Sequence, residues 1–331
     1  MDKIIAEPLA WIRAIHFGAS LLLTGGWVFM FVMAQPTFSS LDGEMEAAYD
    51  TFQRWWLALM EWSLLTCLVS GLFWLGAEAV AMSGLASSQA LTGDLIGTVL
   101  TRTQFGRIWE IRAMPIVLLA GYLAWRRYSV AVRRLSVLDL GAGLLSGVLL
   151  ASLAWIGHAV GTEGAGGWLH LAMDTVHLLA AAAWLGALVP LAFILAQTQY
   201  SRAPIWLGLG RKIIPRFSIL GLVSVACLIV TGLVNAGFLV GDSAHLIATT
   251  YGRLLLLKLG LVGLMLVIAA DNRFRLTPRL LATAGQDDAG SRSTASGQLW
   301  CNVIVEIGLG AAILFIVGAL GIIHPAAHIR F

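Results

Sequence analysis

The stretch from His158 to Gly186, HAVGTEGAGGWLHLAMDTVHLLAAAAWLG, decides the fold. It sets three of the chain's seven histidines, the Asp174 carboxylate and a thioether beside or within a long apolar run. Ionisable groups are costly in hydrocarbon and mark functional positions there. From Trp168 onward the pattern is helical. At about 100° per residue, His170, Met173, Asp174 and His177 fall at i, i+3, i+4 and i+7 on one face. Seven residues rise roughly 10 Å, so one ion cannot touch both His170 and His177. A metal bound here needs a ligand from another helix.

Working outward, the whole chain shares this apolar character. Of its 331 residues 59% are hydrophobic and 12% charged, with a mean hydropathy of +0.85, which is too apolar for a soluble globule. A bilayer span takes about 20 mostly apolar residues. Eight such runs are predicted, making an all-α integral membrane protein: Leu9 to Ala34, Trp56 to Met82, Ile108 to Trp125, Ser136 to Ala159, Trp168 to Ala196, Ile213 to Val240, Gly252 to Ala270 and Trp300 to Ile323. Trp11, Trp55, Trp56, Trp125, Trp168 and Trp300 lie near their ends, as an interfacial belt requires. The first run is longer than the apolar core of a signal peptide and follows no basic segment, so it reads as a retained span. The net charge of +3 points to no nucleic-acid partner. Cys67, Cys227 and Cys301 lack CxxC spacing and read as packing residues.

Arginine and lysine in the short loops set orientation. Arg126, Arg127, Arg133 and Arg134 follow the third span; Arg202, Arg211 and Lys212 follow the fifth; Arg273, Arg275, Arg279 and Arg292 follow the seventh. These alternate loops are predicted to be cytoplasmic, which puts both termini on the outer side, although Asp42, Glu44, Glu46 and Asp50 make the first inner loop acidic. The polar run 276–298 reads as a mobile cytoplasmic linker. All seven histidines then fall toward the outer side, His16 and His177 roughly 10 Å into their spans, and His158, His170, His245, His324 and His328 at the outer ends or loops. A one-sided array of imidazoles suggests capture of something from outside.

The two halves of the single membrane domain 1–331 look related. Leu68-Val-Ser-Gly-Leu-Phe-Trp-Leu-Gly76 matches Ile229-Val-Thr-Gly-Leu-Val-Asn-Ala-Gly237 at an offset of 161, and the same offset carries His16 onto His177. Phe105-Gly-Arg-Ile-Trp-Glu-Ile-Arg112 matches Tyr251-Gly-Arg-Leu-Leu-Leu-Leu-Lys258, and Ile156-Gly-His158 matches Ile322-Ile-His324. A 4+4 repeat is expected, with four-helix units at 9–160 and 168–324 related by an axis along the membrane normal. His16 then answers His177, and His158 answers His324.

The candidate metal residues are therefore His16, His177 and Asp174, helped by His158, His170, His324, Met173 and His328. Asp174, one turn before His177, is placed to orient an imidazole. Imidazole and carboxylate suit Cu(II) or zinc, while thioether from Met173 or Met82 favours Cu(I). Met30, Met33, Met60 and Met114 read as core filling. Glu61, Glu78, Asn235 and Glu306 are candidates for a transport path. Glu110, Arg112 and Lys258 lie near the outer interface and read as snorkelling side chains. No GxGxxG, Walker loop, GxSxG or HExxH is present, so neither an ATP-driven pump nor a hydrolase is expected, and the chain is not read as an enzyme.

The run His170-Leu-Ala-Met-Asp-Thr-Val-His177-Leu-Leu-Ala-Ala-Ala-Ala-Trp184-Leu-Gly186 resembles the copper resistance protein D family. So do Trp11-Ile-Arg13-Ala-Ile-His16-Phe, Phe217-Ser218 leading to Thr231-Gly232 and Asn235, and Tyr251 to Lys258 with Asn272-Arg273 beyond. The resemblance covers essentially the whole chain. It implies an eight-span bacterial inner-membrane protein associated with copper, which moves copper from periplasm to cytoplasm. The reading drawn from the sequence is a copper-binding transporter with its metal site facing the periplasm, partnered by the lipid bilayer and by periplasmic copper carriers. Two alternatives stay open: a haem-b electron-transfer protein, with Arg13 or Arg107 holding propionates, and a copper-responsive partner without transport activity.

Overall fold

The computed structural model describes residues 7–38, 44–84, 91–129, 136–157, 164–201, 203–242, 244–282, 289–325 and 327. Among these residues there are helices, turns and no strand. Eight helices are long and apolar enough to cross a membrane: α1 (Pro8–Thr37), α2 (Met45–Ser83), α3 (Gln104–Tyr128), α4 (Val137–Ile156), α5 (Gly166–Tyr200), α6 (Ile205–Val240), α7 (Thr250–Ala282) and α8 (Ala295–Leu320). Each contains or closely overlaps one of the eight apolar runs.

Local chemistry sets several of the starts. Pro8 opens α1, where its missing N–H costs nothing. Ser136 and Asp139 cap each other's backbone N–H groups at the start of α4. Thr103 and Thr249 cap α3 and α7 by accepting from Gly106 and Gly252 at 3.0 and 2.9 Å. Those two glycines are required by space. A Cβ on Gly106 would lie 2.2 Å from the Leu100 carbonyl oxygen, and one on Gly252 would lie 2.4 Å from that of His245.

The first and fifth helices form the centre. α1 and α5 are the most enclosed of the eight, with 72% and 67% of their apolar windows buried, against 17% for α6 and 11% for α7. They cross where Gly25 meets Gly186: a Cβ on Gly25 would lie 2.3 Å from the Ala182 carbonyl oxygen, and one on Gly186 would lie 2.1 Å from that of Leu21. Small residues permit this backbone approach, the usual way helices pack in lipid. The main core gathers Trp27, Phe29, Phe52, Trp56 and Met60 around it, while Leu72, Phe73, Val117, Leu222, Leu233 and Val267 face outward toward the lipid.

Three expectations change. Trp56 does not belong to an interfacial belt: it is buried, and its indole N–H donates to the Gly26 carbonyl at 3.0 Å. The second helix begins near the acidic segment, because Glu46 and Asp50 sit on its surface turns while Met45, Ala48, Tyr49 and Phe52 pack inward. Helix also enters the polar run 276–298 from both sides, through α7 to Ala282 and from Ala289 onward.

Candidate metal site

His16 and His177 occupy matching settings. The His16 Nδ1 lies 3.0 Å from the Ser70 hydroxyl, and the His177 Nδ1 lies 2.9 Å from the Thr231 hydroxyl, in both cases across 54 residues of sequence. Ser70 donates its proton to the Thr66 carbonyl at 2.5 Å, and Thr231 donates to that of Cys227 at 2.6 Å. Each hydroxyl has one proton to give, so each imidazole donates from Nδ1 and keeps its lone pair on Nε2. The glycine after each hydroxyl residue lies against the ring. A Cβ would lie 3.4 Å from His16 Cε1 at Gly71, and 3.5 Å from His177 Cε1 at Gly232.

The two settings differ in what meets Nε2. At His16 an Arg112 amino group donates to it at 2.7 Å. The other amino group of Arg112 reaches the Leu149 carbonyl at 2.8 Å and the Ser152 hydroxyl at 2.5 Å. Arg112 therefore does not snorkel: it is buried and points inward, because the short turn ending α4 presents a carbonyl and a hydroxyl to it. Arg13 stacks over Trp74, 4.7 Å from the ring centroid. The Cys67 sulfur lies 3.9 Å from His16 Nε2 and 3.4 Å from the Ser20 hydroxyl, so Cys67 touches the polar cluster rather than merely filling core. Unpartnered buried donors collect here: Arg13 Nε, Arg112 Nε and Trp109 Nε1.

At His177, Nε2 makes no hydrogen bond among the described residues, and the neighbouring groups include a carboxylate and an open amide oxygen. Asp174 Oδ1 receives a long hydrogen bond, 3.4 Å, from the Asn235 amide, and Asn235 Oδ1 is buried without a partner. Lys258 lies within electrostatic reach of Asp174 and His177. Gly157 stands against Asp174, since a Cβ there would be 3.7 Å from Oδ2. Nε2, the carboxylate and the Asn235 oxygen offer a cation one nitrogen and two oxygen donors.

The remaining sequence candidates scatter. His170 is buried and stacked on Phe238, with centroids 4.7 Å apart. Met173 is half-buried and His324 exposed. His158 and His328 lie outside the described residues. Glu61 pairs with Arg127 at the surface, and Glu78 accepts from the Trp74 indole at 3.0 Å. His16 and His177 each make their hydrogen bonds within their own half of the chain. Among the described residues, no three His, Cys, Asp or Glu side chains gather as a metal site. The role of Arg112 was hidden in the sequence, because only the matching of Arg112 with Lys258 hinted that both face the histidine level.

Two family profiles match the chain: "Copper resistance protein D-like, N-terminal domain" over residues 4–168 and "Copper resistance protein D" over 211–320. The chain is 33% identical to Copper resistance protein D of Pseudomonas syringae pv. tomato over 75% of its own length and 77% of that protein's. It is 29% identical to Inner membrane protein YebZ of Escherichia coli over 95% and 98%. It is also 32% identical to Copper transport protein CutJ of Bacillus subtilis over 58% and 35%. None of these names points to haem. No solved structure matches the chain significantly. With eight apolar helices, two matching family profiles and a 33% identical copper resistance protein D aligned over three quarters of both chains, the chain belongs to the copper resistance protein D family.

Proposed function

We propose that the protein is a multi-pass inner-membrane carrier, not an enzyme, that binds copper beside His177 and moves it across the bilayer. The Nε2 lone pair of His177, left open by the Thr231 contact at Nδ1, together with the Asp174 carboxylate one turn earlier and the unpartnered Asn235 oxygen that belongs to the same polar cluster, carries this reading. The names of the relatives, a copper resistance protein, a copper transport protein and an inner membrane protein, support copper as cargo and the inner membrane as location. The arginine-rich loops support a cytoplasmic face at that end, with both termini and the histidines on the periplasmic side, where copper carrier proteins deliver the ion. The matched His–hydroxyl pairs across 54 residues support a 4+4 repeat.

The test is copper content. Purified protein exposed to copper and then dialysed should retain about one ion per chain, and His177→Ala should lose it. His16→Ala should retain it, because Arg112 already holds that Nε2. Undiminished copper in the His177 variant would defeat the site. Uptake by sealed vesicles tests transport separately.

A further inference from the structure

Only two carboxylates are fully buried among the described residues, Asp139 and Glu306. Asp139 is compensated from several sides. It pairs with Arg126 at 3.6 Å and accepts from the Tyr122 hydroxyl at 2.5 Å and from the Ser136 backbone and hydroxyl at 2.7 and 2.6 Å. Glu306 has one hydrogen bond, from the uncharged Asn272 amide at 2.7 Å, and no cationic partner among the described residues.

The charged groups near Glu306 make their contacts with other residues. Asn302 donates to Asn272 at 2.7 Å and to Asp271 at 3.3 Å, and Asp271 pairs with Arg275 at 2.7 Å. Arg273, which lines the same cavity as Glu306, gives its amino group to the Ser218 hydroxyl at 2.5 Å.

Glu306 also stands where two cavities meet. One, of about 200 Å³, runs between α5, α6, α7 and α8 to Arg273 and Thr277 at the arginine-rich end. The other, of about 330 Å³, runs between α1, α5 and α8 toward Trp11 and Phe315. Glu306 lines both, and by helix rise it is roughly 16 Å above the start of α8, near the middle of the membrane.

We propose that Glu306 is a proton-exchange site at mid-membrane, loaded and unloaded through the cavity that opens at the arginine-rich end. A buried carboxylate without a fixed counter-charge needs a mobile one. Neither cavity wall offers a second carboxylate, an imidazole, a thiol or a thioether, so no copper shell can form there. A proton needs no shell. The polar edge formed by Ser218, Asn272, Arg273 and Thr277 gives it a route along an otherwise apolar wall.

The inference does not depend on copper, and its test uses none. The purified full-length chain in lipid nanodiscs is cycled between acidic and alkaline buffer and followed by infrared difference spectroscopy. The wild type should show the C=O stretch of a protonated carboxyl that comes and goes with pH. Glu306→Gln should lose that band, and Glu306→Asp should keep one. Asn272→Ala, which removes the single hydrogen bond, should shift its frequency. A Glu306→Gln spectrum identical to wild type would overturn the proposal. If that variant does not fold, an unshifted band in Asn272→Ala overturns it instead.

Discussion

Arg13 stands three residues before His16, and Asp174 stands three residues before His177, so the same turn of α1 and of α5 carries a cation in one half and a carboxylate in the other. The neighbours follow suit. Arg13 stacks on Trp74, whereas Asp174 accepts from Asn235, and Trp74 and Asn235 are themselves 161 residues apart, like the two histidines. The turn before the histidine is thus cationic at His16 and anionic at His177, where Lys258 lies within electrostatic reach of the carboxylate.

This reversal predicts the effect of removing the carboxylate. Asp174→Asn preserves the hydrogen-bonding shape and deletes the charge, so copper affinity should fall about 10- to 100-fold with little change in melting temperature. Competition with a coloured chelator reads the affinity. An unchanged constant would show that Asp174 is not near the bound ion.

Arg112→Leu should behave oppositely. The change strips donors from His16 Nε2, the Leu149 carbonyl and the Ser152 hydroxyl, and charge-assisted bonds of this kind contribute about 1.5–3 kcal/mol each at most. Stability in detergent should drop by about 3 kcal/mol while copper content stays at the wild-type level. Thermal unfolding followed by metal analysis on the same sample checks both halves of the claim.

Asp139→Asn tests the compensated carboxylate. It strands the Arg126 guanidinium, whose side chain is 3% exposed, and breaking a buried pair on one side costs about 3–5 kcal/mol. Tyr122→Phe removes only one hydrogen bond to the same carboxylate and should cost about 1 kcal/mol. Comparable melting temperatures for the two variants would contradict this ranking.

Gly186→Val should be among the most damaging single changes. Its side chain would press on the Leu21 carbonyl oxygen, 2.1 Å from the added Cβ, and neither backbone can yield without parting α1 from α5. Overpacking costs about 1–3 kcal/mol where side chains can adjust, so a larger loss is expected here, visible as poor recovery of monodisperse protein.

The eight helices were legible because a span must be apolar along its length, whichever neighbours it meets. Their ends were less so: Met45 to Phe52 alternates inward apolar with outward acidic residues, and a window average reads that mixture as loop. The histidine settings were half legible. The offset of 161 aligned His16 with His177 and Ser70 with Thr231, but not the direction of Arg112, since depth alone suggested that it reached for the interface. Cys67 gave no local signal, because its contact with His16 spans two helices. Glu306 was visible as an intramembrane acid, yet its lack of a cation emerges only beside Asp139.

The crossing of α1 and α5 at Gly25 and Gly186 has a mechanical consequence. Two backbones in contact, with no side chains between them to compress, can rotate about the touching point more easily than they can separate. The point lies about midway along both helices, with the histidine level on one side and the arginine-rich end on the other. Rotation of α1 against α5 about this point would move the histidine level and the arginine-rich end in opposite directions, as the two arms of a lever do.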